Sequence, residues 1–542
     1  MQNIQKIQAY LIQIGLNWLL LPREDEFLGE YVPDYNERLL WATGFSGSAG
    51  LAVIGQNELH LFVDGRYTLQ AQKETTGFQI HSLSNLWKYL NNALKPSDIV
   101  GFNPQLHSQR FVEKLYEIPC EKRHIVPHPV DLLWDKRPPI PESITVPHEL
   151  KYSGESNKSK LSRIISETAS SAEVLYVQDP HEVAWALNIR GQDLPYTPIT
   201  LSRALIWKNG KVDLFLNQSH LSNELRLHLG PQVYIHPLNC LTEYLLKPQC
   251  VQIDTNGVSA FDRQLIGGRA TIQRSPILSM KAVKNHVEIE GMRKAHQWDG
   301  IALGKFRSWL LSQNPNHLDE ITAAEQLETF RRECPAYKGP SFPTISGFGA
   351  NGAIVHYHAT PASNQNFTQH GLYLVDSGGQ YLEGTTDVTR VFPIGPPTDE
   401  QKRAYTLVLK GHLRLAQAVF PIGTTGHQLD VLARYDVWQY GLNYEHGTGH
   451  GVGSYLSVHE GPQGISPRAN ATPLQPGMIL SNEPGYYKTG EFGIRIENLM
   501  VVQESKHEGY LCFETLTQVP YESTLIDYTL LTDAERNIVF SY

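Results

Sequence analysis

The sequence predicts a multidomain protein of mixed α/β and α+β class, and three observations lead to that prediction. The chain has 542 residues, of which 41% are hydrophobic and 19% charged, enough to form about three domains of ordinary size. A motif that begins at Trp41 is repeated at Trp185, which indicates a duplicated α/β domain. A strand-and-turn motif that begins at Gly371 is repeated at Gly477, which indicates an α+β domain built from two related halves.

Composition excludes several classes of protein. The formal net charge is −9, whereas nucleic-acid binders usually carry a clustered basic excess, so we expect no nucleic-acid partner. No run of about 18 apolar residues occurs, and the N-terminal apolar stretch runs into Arg23-Glu-Asp-Glu26 without a cleavage site, so we expect neither a membrane span nor a signal peptide. The five cysteines lack zinc-knuckle spacing and form no disulfide framework, which favours a reducing, cytoplasmic location (Cys120, Cys240, Cys250, Cys334 and Cys512).

The first repeat places two similar α/β domains one after the other. Trp41-Ala-x-x-Phe45-x-Gly47 matches Trp185-Ala-x-x-Ile189-x-Gly191, and in both copies two apolar strands follow. In the first copy these strands form a predicted β-hairpin, and the chain before them has helical spacing at Ile4, Ile7 and Leu11. Short apolar patterns also recur by chance, but two matched elements in the same order favour duplication.

Proline and polar residues predict a linker between these two domains. The stretch Arg137-Pro-Pro-Ile-Pro141 removes backbone donors, and the polar segment Ser153–Lys160 also reads as linker. We place the domains at residues 1–145, 146–278 and 279–542. The third begins as Lys281-Ala-Val-Lys284 leads into a long amphipathic helix.

The second repeat carries the residues that could bind a metal ion or take part in catalysis. Gly371 to Gly378 and Gly477 to Gly485 each form an apolar strand that ends in a carboxylate and a glycine turn, and another strand with a second carboxylate follows. Each carboxylate alone could simply end a strand or cap a turn. Buried carboxylates are nevertheless paired or bind metal, and four in mirrored positions indicate a shared site (Asp376, Asp387, Glu483 and Glu497).

A glycine-rich segment between the halves supplies histidines. His446-Gly-Thr-Gly-His450-Gly-Val-Gly453 fits neither phosphate-binding glycine motif. Strict alternation places Arg495 and Glu497 on one strand face, where the guanidinium can orient a metal-binding carboxylate. Two divalent cations would cancel four negative charges, and an oxygen-rich set with one histidine favours manganese over a thiolate-type zinc site.

The chain resembles the pita-bread metallopeptidases of family M24B, and most closely the cytosolic three-domain Xaa-Pro aminopeptidases. The motifs that carry the resemblance of the third part are long and ordered: Asn351-Gly-Ala-Ile-Val-His356-Tyr, Asp376-Ser-Gly, Gly384-Thr-Thr-Asp387-Val-Thr-Arg390, His446 to Ser454, Val458-His-Glu-Gly-Pro462, Glu483-Pro-Gly-Tyr-Tyr487 and Gly493-Ile-Arg-Ile-Glu497-Asn498. Asp64-Gly-Arg-Tyr67, Phe45 to Gly50 and Ala184 to Gly191 resemble the creatinase-like N-terminal and middle domains of that family.

The resemblance implies a role for each matched residue. Asp376 would bind one metal ion, Asp387 and Glu497 would bridge two, and His450 and Glu483 would hold the other. Glu483 would manage the proton of an attacking hydroxide that bridges the metals. The remaining residues would serve the substrate: His356 and His459 at the scissile peptide, His446 in the proline pocket, and Tyr487 and Arg495 as support.

The implied activity is removal of the N-terminal residue from peptides with proline second, by a homodimer with two divalent metal ions. Manganese is favoured, with zinc or cobalt as alternatives. A prolidase, which takes only dipeptides, has partly overlapping motifs and stays open, as does a non-catalytic pita-bread module that binds peptides or proteins. Creatinase-like enzymes share the fold without metal, which the complete ligand set disfavours. His358 departs from the family pattern, and we expect it to face solvent.

Overall fold

The computed structural model describes residues 2–217 and 221–542. The chain divides into two compact units. The first comprises Met1–His148 and Glu155–Ile277, and the second comprises Glu149–Gly154 and Leu278–Tyr542. The predicted boundary at residue 145 falls inside the first unit and remains a prediction.

The first part of the chain forms a six-stranded sheet in the order β4-β3-β2-β1-β5-β6, in which β2 runs antiparallel to both of its neighbours and the other pairs are parallel. Its elements are β1 (Trp18–Pro22), β2 (Gly50–Gly55), β3 (Leu59–Val63), β4 (Gln79–Ser82), β5 (Ile99–Phe102), β6 (Glu121–His124), α1 (Gln2–Ile14), α2 (Arg38–Thr43), α3 (Thr68–Glu74), α4 (Leu86–Ala93), α5 (Gln109–Tyr116) and α6 (Pro129–Leu133).

Helices cover both faces of this sheet. Successive side chains of a strand point to opposite faces, so Leu19 and Leu21 pack in one apolar cluster with α1. Leu20 packs in a second cluster with Leu86 and Leu90 of α4. This arrangement explains why β1 is apolar throughout rather than alternating.

A second sheet repeats the first strand for strand. Its order is β12-β11-β10-β8-β13-β14, and β10 is antiparallel to both of its neighbours while the other pairs are parallel. The elements of this part of the chain are β7 (Val146–Pro147), β8 (Val174–Val177), β9 (Ile189–Arg190), β10 (Ser202–Trp207), β11 (Val212–Leu216), β12 (Val233–Pro237), β13 (Val251–Ile253), β14 (Ala270–Ile272), α8 (Asn157–Glu167), α9 (Pro180–Leu187), α10 (Asn223–Leu229), α11 (Leu241–Leu245) and α12 (Ala260–Ile266), and the short helix α7 (Leu150–Ser153) between them belongs to the second unit.

The repeated sequence motif occupies equivalent places in the two sheets. Helix α2 lies before β2 and helix α9 before β10. Each helix ends at a residue in the left-handed conformation, Gly44 with φ of 83° and Asn188 with φ of 52°. Glycine and asparagine are the residues that adopt this helix-ending conformation most readily. The duplicated α/β architecture is therefore confirmed.

The prediction of a linker over Ser153–Lys160 was wrong, whereas residues 137–141 form neither helix nor strand, as expected. Helix α8 begins at Asn157, and the Ser156 hydroxyl caps it by accepting from the Ser159 amide. The polar residues are thus a helix cap and first turn, which resemble a linker in composition. Lys160 is buried and its ammonium donates to Asn188 Oδ1 over 2.8 Å.

The third part of the chain is an α+β unit with two main sheets, of order β16-β17-β20 and β21-β28-β27-β24-β22-β23. Its elements are β15 (Tyr337–Pro340), β16 (Ile345–Phe348), β17 (Gly371–Ser377), β18 (Gly379–Tyr381), β19 (Gly384–Thr385), β20 (Val388–Ile394), β21 (Val419–Pro421), β22 (Gly449–Gly451), β23 (Glu460–Ile465), β24 (Ile479–Asn482), β25 (Gly485–Lys488), β26 (Phe492–Arg495), β27 (Asn498–Glu504), β28 (Tyr510–Thr515), α13 (Pro276–Ala282), α14 (His286–Ser312), α15 (Glu320–Arg332), α16 (Asp399–Ala416), α17 (Gly426–Trp438) and α18 (Asp533–Ser541).

The two predicted halves of this unit are confirmed by equivalent strand pairs. Strand β17 pairs antiparallel with β20, and β24 pairs antiparallel with β27. Asp376 lies near the end of β17 and Glu483 directly follows β24. Asp387 directly precedes β20 and Glu497 directly precedes β27, so the four carboxylates have mirrored positions.

Capping residues set the starts of the long helices in this unit. The Asn285 side chain and Glu288 form a capping box before α14, and Thr398 with Gln401 forms the predicted one before α16.

Among the described residues, no helix has both the length and the apolar character needed to cross a membrane.

Helices α16 and α17 pack closely enough to require glycine at one position. A Cβ atom added at Gly411 would lie 2.1 Å from the Ala433 carbonyl oxygen. We expect Gly411→Ala to lower the free energy of unfolding by about 1–3 kcal/mol, because the helices must separate to admit the methyl group. The measurement is urea-induced unfolding followed by circular dichroism.

Gly304 provides the matched control for this substitution. It lies at an exposed position inside helix α14, and an added Cβ atom meets nothing within 4 Å. Gly304→Ala should raise stability by about 0.5–1 kcal/mol, as expected for replacing glycine in a helix interior. Equal effects of the two substitutions would contradict the close packing of α16 on α17.

Candidate active site

Two glycines allow the mirrored carboxylates to approach one another. A Cβ atom at Gly378 would lie 1.9 Å from the Thr386 carbonyl oxygen, so the turn after Asp376 can lie directly against the residue before Asp387 only with glycine. At Gly449 a Cβ atom would lie 2.0 Å from the Ser481 carbonyl oxygen. This contact brings the neighbouring His450 beside the end of β24, where Glu483 lies.

The carboxylates and His450 form one compact cluster. Potential ligand atoms of Asp387, His450 and Glu497 all lie within 4.8 Å of one another. His450 Nε2 is 3.5 Å from Asp387 Oδ2 and 3.5 Å from Glu483 Oε1. Asp387 and Glu497 are buried, with 4% and 1% of their surface exposed, so water cannot screen their charges effectively.

Asp376 joins the cluster through a buried ion pair. Its Oδ2 accepts a hydrogen bond from Arg495 Nη2 over 2.7 Å. The other oxygen, Oδ1, is buried without a hydrogen-bond partner. A buried carboxylate oxygen that lacks a donor is strongly disfavoured in a folded protein, so this atom is one that a cation would satisfy.

The electrostatic state of the cluster shows that negative charge is in excess. Burial, together with the Asp376 and Glu483 carboxylates, raises the pKa of Asp387 well above its usual value. Burial and the charges of Asp387, Glu483 and Asp376 likewise raise the pKa of Glu497. The pKa of Glu483 is raised by burial, although His450 and Arg495 oppose that rise. The ionised carboxylates therefore lack sufficient positive charge around them.

The hydrogen bonding of His450 leaves one ring nitrogen available as a ligand. Its Nδ1 is 2.9 Å from the Gly451 carbonyl oxygen. Because a carbonyl oxygen only accepts, Nδ1 is a donor, and Nε2 is the ring nitrogen that faces Asp387 and Glu483 and can bind a metal ion when it carries no proton. This is the arrangement by which metal-binding histidines are usually oriented.

A chain of hydrogen bonds connects His446 to the carboxylate cluster. His446 Nδ1 is 2.7 Å from the Gly447 carbonyl oxygen, so Nε2 is left to accept from the Tyr487 hydroxyl over 2.9 Å. The same hydroxyl accepts from Arg495 Nη1 over 2.7 Å. Burial raises the pKa of Tyr487 to about 12, so the hydroxyl stays protonated at neutral pH. Arg495 thus holds both Asp376 and Tyr487.

The other predicted substrate residues lie around the same cluster. The His459 ring stands edge-on to His450, with ring centroids 4.5 Å apart. His356 follows Val355, whose carbonyl oxygen accepts from Arg495 Nη1 over 3.4 Å. The structure therefore brings together nine of the ten residues predicted for the site and places the backbone next to the tenth, His356, against Arg495.

The expectation that His358 faces solvent was wrong. Its Nδ1 is buried and has no hydrogen-bond partner. Burial lowers the pKa of this histidine, and the Asp376 carboxylate opposes that shift, which places the ring near the cluster. The sequence position alone could not show this, because residues that alternate along a loop need not alternate between core and solvent.

The donor set fits divalent cations. It offers four carboxylates, an imidazole nitrogen that faces two of them and a buried carboxylate oxygen without a partner. Hard divalent cations prefer such oxygen-rich sites, and two of them would cancel the excess negative charge that raises the pKa values of Asp387 and Glu497.

The sequence did not single out several residues that hold the site. Arg434 of α17 donates to the Tyr444 and His446 carbonyl oxygens over 2.6 Å and 2.7 Å. Asp430, one turn earlier, pairs with Arg434 and accepts from the Thr448 hydroxyl over 2.6 Å. Such an i, i+4 pair looks the same in sequence as an ordinary pair on an exposed helix surface.

The sequence also did not single out a buried ion-pair cluster at the residue that follows His459. Glu460 is buried and pairs with the ammonium groups of Lys281 and Lys284. Although burial raises the pKa of Glu460, the two ammonium groups lower it below its usual value. The lysines are remote in sequence, and only the fold shows that they neutralise the residue after His459.

Comparison with known proteins agrees with this geometry. Residues 290–504 match metallopeptidase family M24, and residues 509–542 match the C-terminal region of that family. Residues 3–129 and 136–288 each match a creatinase/prolidase N-terminal domain.

Relatives and solved structures match the chain over nearly its full length. The probable Xaa-Pro aminopeptidase P of Laccaria bicolor is 38% identical, and the match covers 100% of this chain and 89% of the relative. The Neurospora crassa protein of the same name is 41% identical over 99% of this chain and 84% of its own. The structure of the Caenorhabditis elegans X-prolyl aminopeptidase, described as a cytosolic enzyme with a di-nuclear active site, superposes with a TM-score of 0.94 at 30% identity, covering 99% of this chain and 94% of that one.

Shorter proteins share the fold over part of the chain. The Xaa-Pro dipeptidase of Bacillus anthracis superposes with a TM-score of 0.56 at 24% identity, covering 68% of this chain and 99% of its own. Together with the full-length matches, these findings establish that the chain belongs to metallopeptidase family M24 and has the two creatinase-like domains and the pita-bread domain of its Xaa-Pro aminopeptidases.

Proposed function

We propose that this protein is a metal-dependent aminopeptidase that releases the N-terminal residue from peptides whose second residue is proline. The observation that carries the proposal is the cluster in which Asp387, Glu483 and Glu497 lie around His450, with Asp376 held close by Arg495. The full-length relatives named Xaa-Pro aminopeptidase P supply the substrate class. A bond to proline lacks an N–H group and has a fixed φ, so a dedicated pocket is physically reasonable.

We assign the metal ligands from the mirrored halves. Asp376 would hold one ion, His450 and Glu483 the other, and Asp387 and Glu497 would bridge both. Manganese suits this oxygen-rich set, with zinc or cobalt as alternatives. When bound, two such ions would activate a water molecule and stabilise the negative charge that develops on the substrate carbonyl oxygen.

The protein residues provide proton transfer and orientation. Glu483 is suited to take a proton from water and pass it to the leaving imino nitrogen, because its pKa is raised and its side chain keeps 18% of its surface exposed. His356 and His459 would donate hydrogen bonds to the scissile peptide as charge develops. His446 would line the proline pocket, in an orientation fixed by Tyr487 and Arg495.

The aminopeptidase assignment is favoured over the alternatives. The dipeptidase that shares the fold covers 68% of this chain, whereas the X-prolyl aminopeptidase structure covers 99%. A non-catalytic module or a metal-free creatinase-like enzyme would have no need for carboxylates and an imidazole gathered in one cluster, so the cluster supports the metal-dependent enzyme.

We also propose a homodimer and a cytoplasmic location. The dimer rests on the family resemblance and on helix α17, which exposes Val431, Tyr435 and Trp438 along one stripe at helical spacing. The location rests on the description of the nematode enzyme as cytosolic and on five cysteines that are all unpaired in the structure.

Removal of a bridging carboxylate should abolish activity without unfolding the protein. In Asp387→Ala we expect hydrolysis of an Xaa-Pro-Xaa peptide to fall by at least about a thousand-fold, because the variant loses a ligand shared by both ions. Release of the N-terminal residue and metal content by mass spectrometry are measured together, with circular dichroism to confirm the fold. Asp213→Asn, which changes a buried carboxylate in β11, serves as the control. Activity near that of the unmodified protein in Asp387→Ala would refute the dinuclear assignment.

Substrate length distinguishes the aminopeptidase from a prolidase. The enzyme should release the first residue from Xaa-Pro-Xaa tripeptides and longer peptides, and the matched Xaa-Ala-Xaa peptides should be poor substrates because they do not fill the proline pocket. Products are identified by liquid chromatography of free amino acids. Cleavage confined to Xaa-Pro dipeptides would establish the prolidase alternative instead.

Metal removal should lower thermal stability at neutral pH, and the loss should shrink in acid. In the metal-free protein the pKa values of Asp387 and Glu497 are raised, so the fold favours their protonated forms. The stability associated with those forms is present at low pH and is lost as pH rises through the raised pKa values. Bound cations offset this loss at neutral pH, and protons compete with them in acid.

The measurement compares melting temperatures of chelator-treated and manganese-loaded protein from about pH 5 to about pH 8. The gap should be widest at the alkaline end. The double variant Asp387→Asn/Glu497→Gln should show little gap at any pH, since it lacks the two carboxylates. A gap in the unmodified protein that widens as pH falls would contradict the predicted linkage.

A further inference from the structure

A fully buried carboxylate lies at the start of helix α15, outside the metal ligands. Glu320 has 0% of its surface exposed. Oε1 accepts from the Phe348 amide over 2.7 Å and from Asn351 Nδ2 over 3.0 Å. Oε2 accepts from the Tyr357 hydroxyl over 2.8 Å and from the Gln365 amide over 2.9 Å.

These four donors all belong to one stretch of chain. Phe348 and Asn351 precede His356, Tyr357 follows it directly, and Gln365 ends the loop beyond. The Tyr357 hydroxyl also accepts from Asn351 Nδ2 over 3.0 Å, so the two motif residues that flank His356 contact each other as well as Glu320. The Glu320 carboxylate thus binds the loop that carries His356 on both sides of that residue.

The charge of Glu320 has an unusual environment. Among the described residues, no lysine or arginine forms an ion pair with it, in contrast to Glu460 with its two lysines and Asp430 with Arg434. Four donors instead match the acceptor capacity of an ionised carboxylate, and Glu320 is the first residue of α15, where the helix dipole favours negative charge. Burial raises the pKa of Glu320, and the hydrogen bonds from Phe348, Tyr357 and Asn351 oppose that rise.

The loop has a further close contact that limits how it can move. A Cβ atom at Gly493 of β26 would lie 1.7 Å from the Gly352 carbonyl oxygen, so the backbone of the loop lies directly against that strand. Arg495 at the end of β26 contacts both the Val355 carbonyl oxygen and Asp376. The loop thus lies against the cluster without supplying a ligand, so a change at Glu320 can alter the position of His356 while the metal ligands stay in place.

We propose that Glu320 is a positioning residue for catalysis, which fixes His356 against the scissile peptide by binding the loop on both sides of it. The inference rests on the proposed function, in which His356 stabilises the transition state. A shift of about 1 Å in such a group can lower the rate about a hundred-fold, so the effect should be large for a residue that touches no substrate.

The test is Glu320→Gln, which keeps the size of the side chain but replaces one acceptor oxygen with an amide that faces donors. We expect kcat for an Xaa-Pro-Xaa peptide to fall about 10- to 100-fold with KM changed by less than about 3-fold, because the lost interaction is made in the transition state. The content of two metal ions should be unchanged, since no ligand is altered.

A double-mutant cycle with His356→Ala separates positioning from general destabilisation. If Glu320 acts through His356, Glu320→Gln should lower activity little further in the His356→Ala background. Multiplying effects, or full activity of Glu320→Gln, would overturn the proposal. An unmodified protein that fails to cleave the peptide would instead contradict the proposed function, so the two failures differ.

Two further variants keep the test decisive. Tyr357→Phe removes a single donor hydroxyl and should lower kcat several-fold, again without adding to His356→Ala, and it replaces Glu320→Gln if that variant does not fold. Asp213→Asn is the matched control, because Asp213 is equally buried and accepts from Trp207 Nε1 and His236 Nε2 in the second sheet. A comparable loss of kcat in Asp213→Asn would assign the effect to global stability and overturn the proposal.

Discussion

The repulsion among four clustered carboxylates, three of them buried, is the constraint on which the catalytic unit depends. Two unit charges about 4 Å apart repel by about 4 kcal/mol at an effective dielectric constant near 20. Arg495 pairs with Asp376, but the pKa values of Asp387 and Glu497 remain raised in spite of it. The carboxylates repel one another, so the rest of the catalytic unit must hold them together. It does so with antiparallel strand pairs and with backbone contacts at Gly378 and Gly449 that exclude any side chain.

Several buried charges beside the cluster are paired with opposite charges, whereas the cluster itself keeps an excess of negative charge. Asp299 pairs with Arg331, and Asp430 pairs with Arg434. Glu460 has two lysine partners. Because these pairs are neutral or positive, cations are attracted to the ligand cluster rather than to its surroundings. One of these pairs also fixes the backbone. Arg434 donates to the Tyr444 and His446 carbonyl oxygens, so the same side chain balances the charge of Asp430 and positions the segment that carries His446.

The sequence predicted those parts of the fold that follow from short-range periodicity and duplication. Alternation in Ile494-Arg-Ile-Glu497 predicted that Arg495 and Glu497 share a strand face. Strand β26 ends at Arg495, so Glu497 lies outside the strand, but both side chains contact the Thr389 hydroxyl. It could not predict contacts that depend on distant partners. Glu320 looks like an ordinary acidic residue in the first turn of a helix, and its four donors lie some 28 to 45 residues later. The linker prediction for Ser153–Lys160 was wrong for a local reason, because helix caps and linkers use the same polar residue types.

Duplication also explains why this site suits two ions rather than one. Each half contributes one carboxylate where a strand ends and another immediately before the strand that pairs with it. Residues at those two places of an antiparallel pair are neighbours across the ladder, as the register of Asp376 with Thr389 and of Asn482 with Asn498 shows. Two halves that face each other therefore present four oxygen ligand groups to a common space. In the proposed assignment the halves differ, because His450 comes from the chain between them. The two metal positions would then have unequal ligands, and Glu483, beside the imidazole, would be the carboxylate suited to proton transfer.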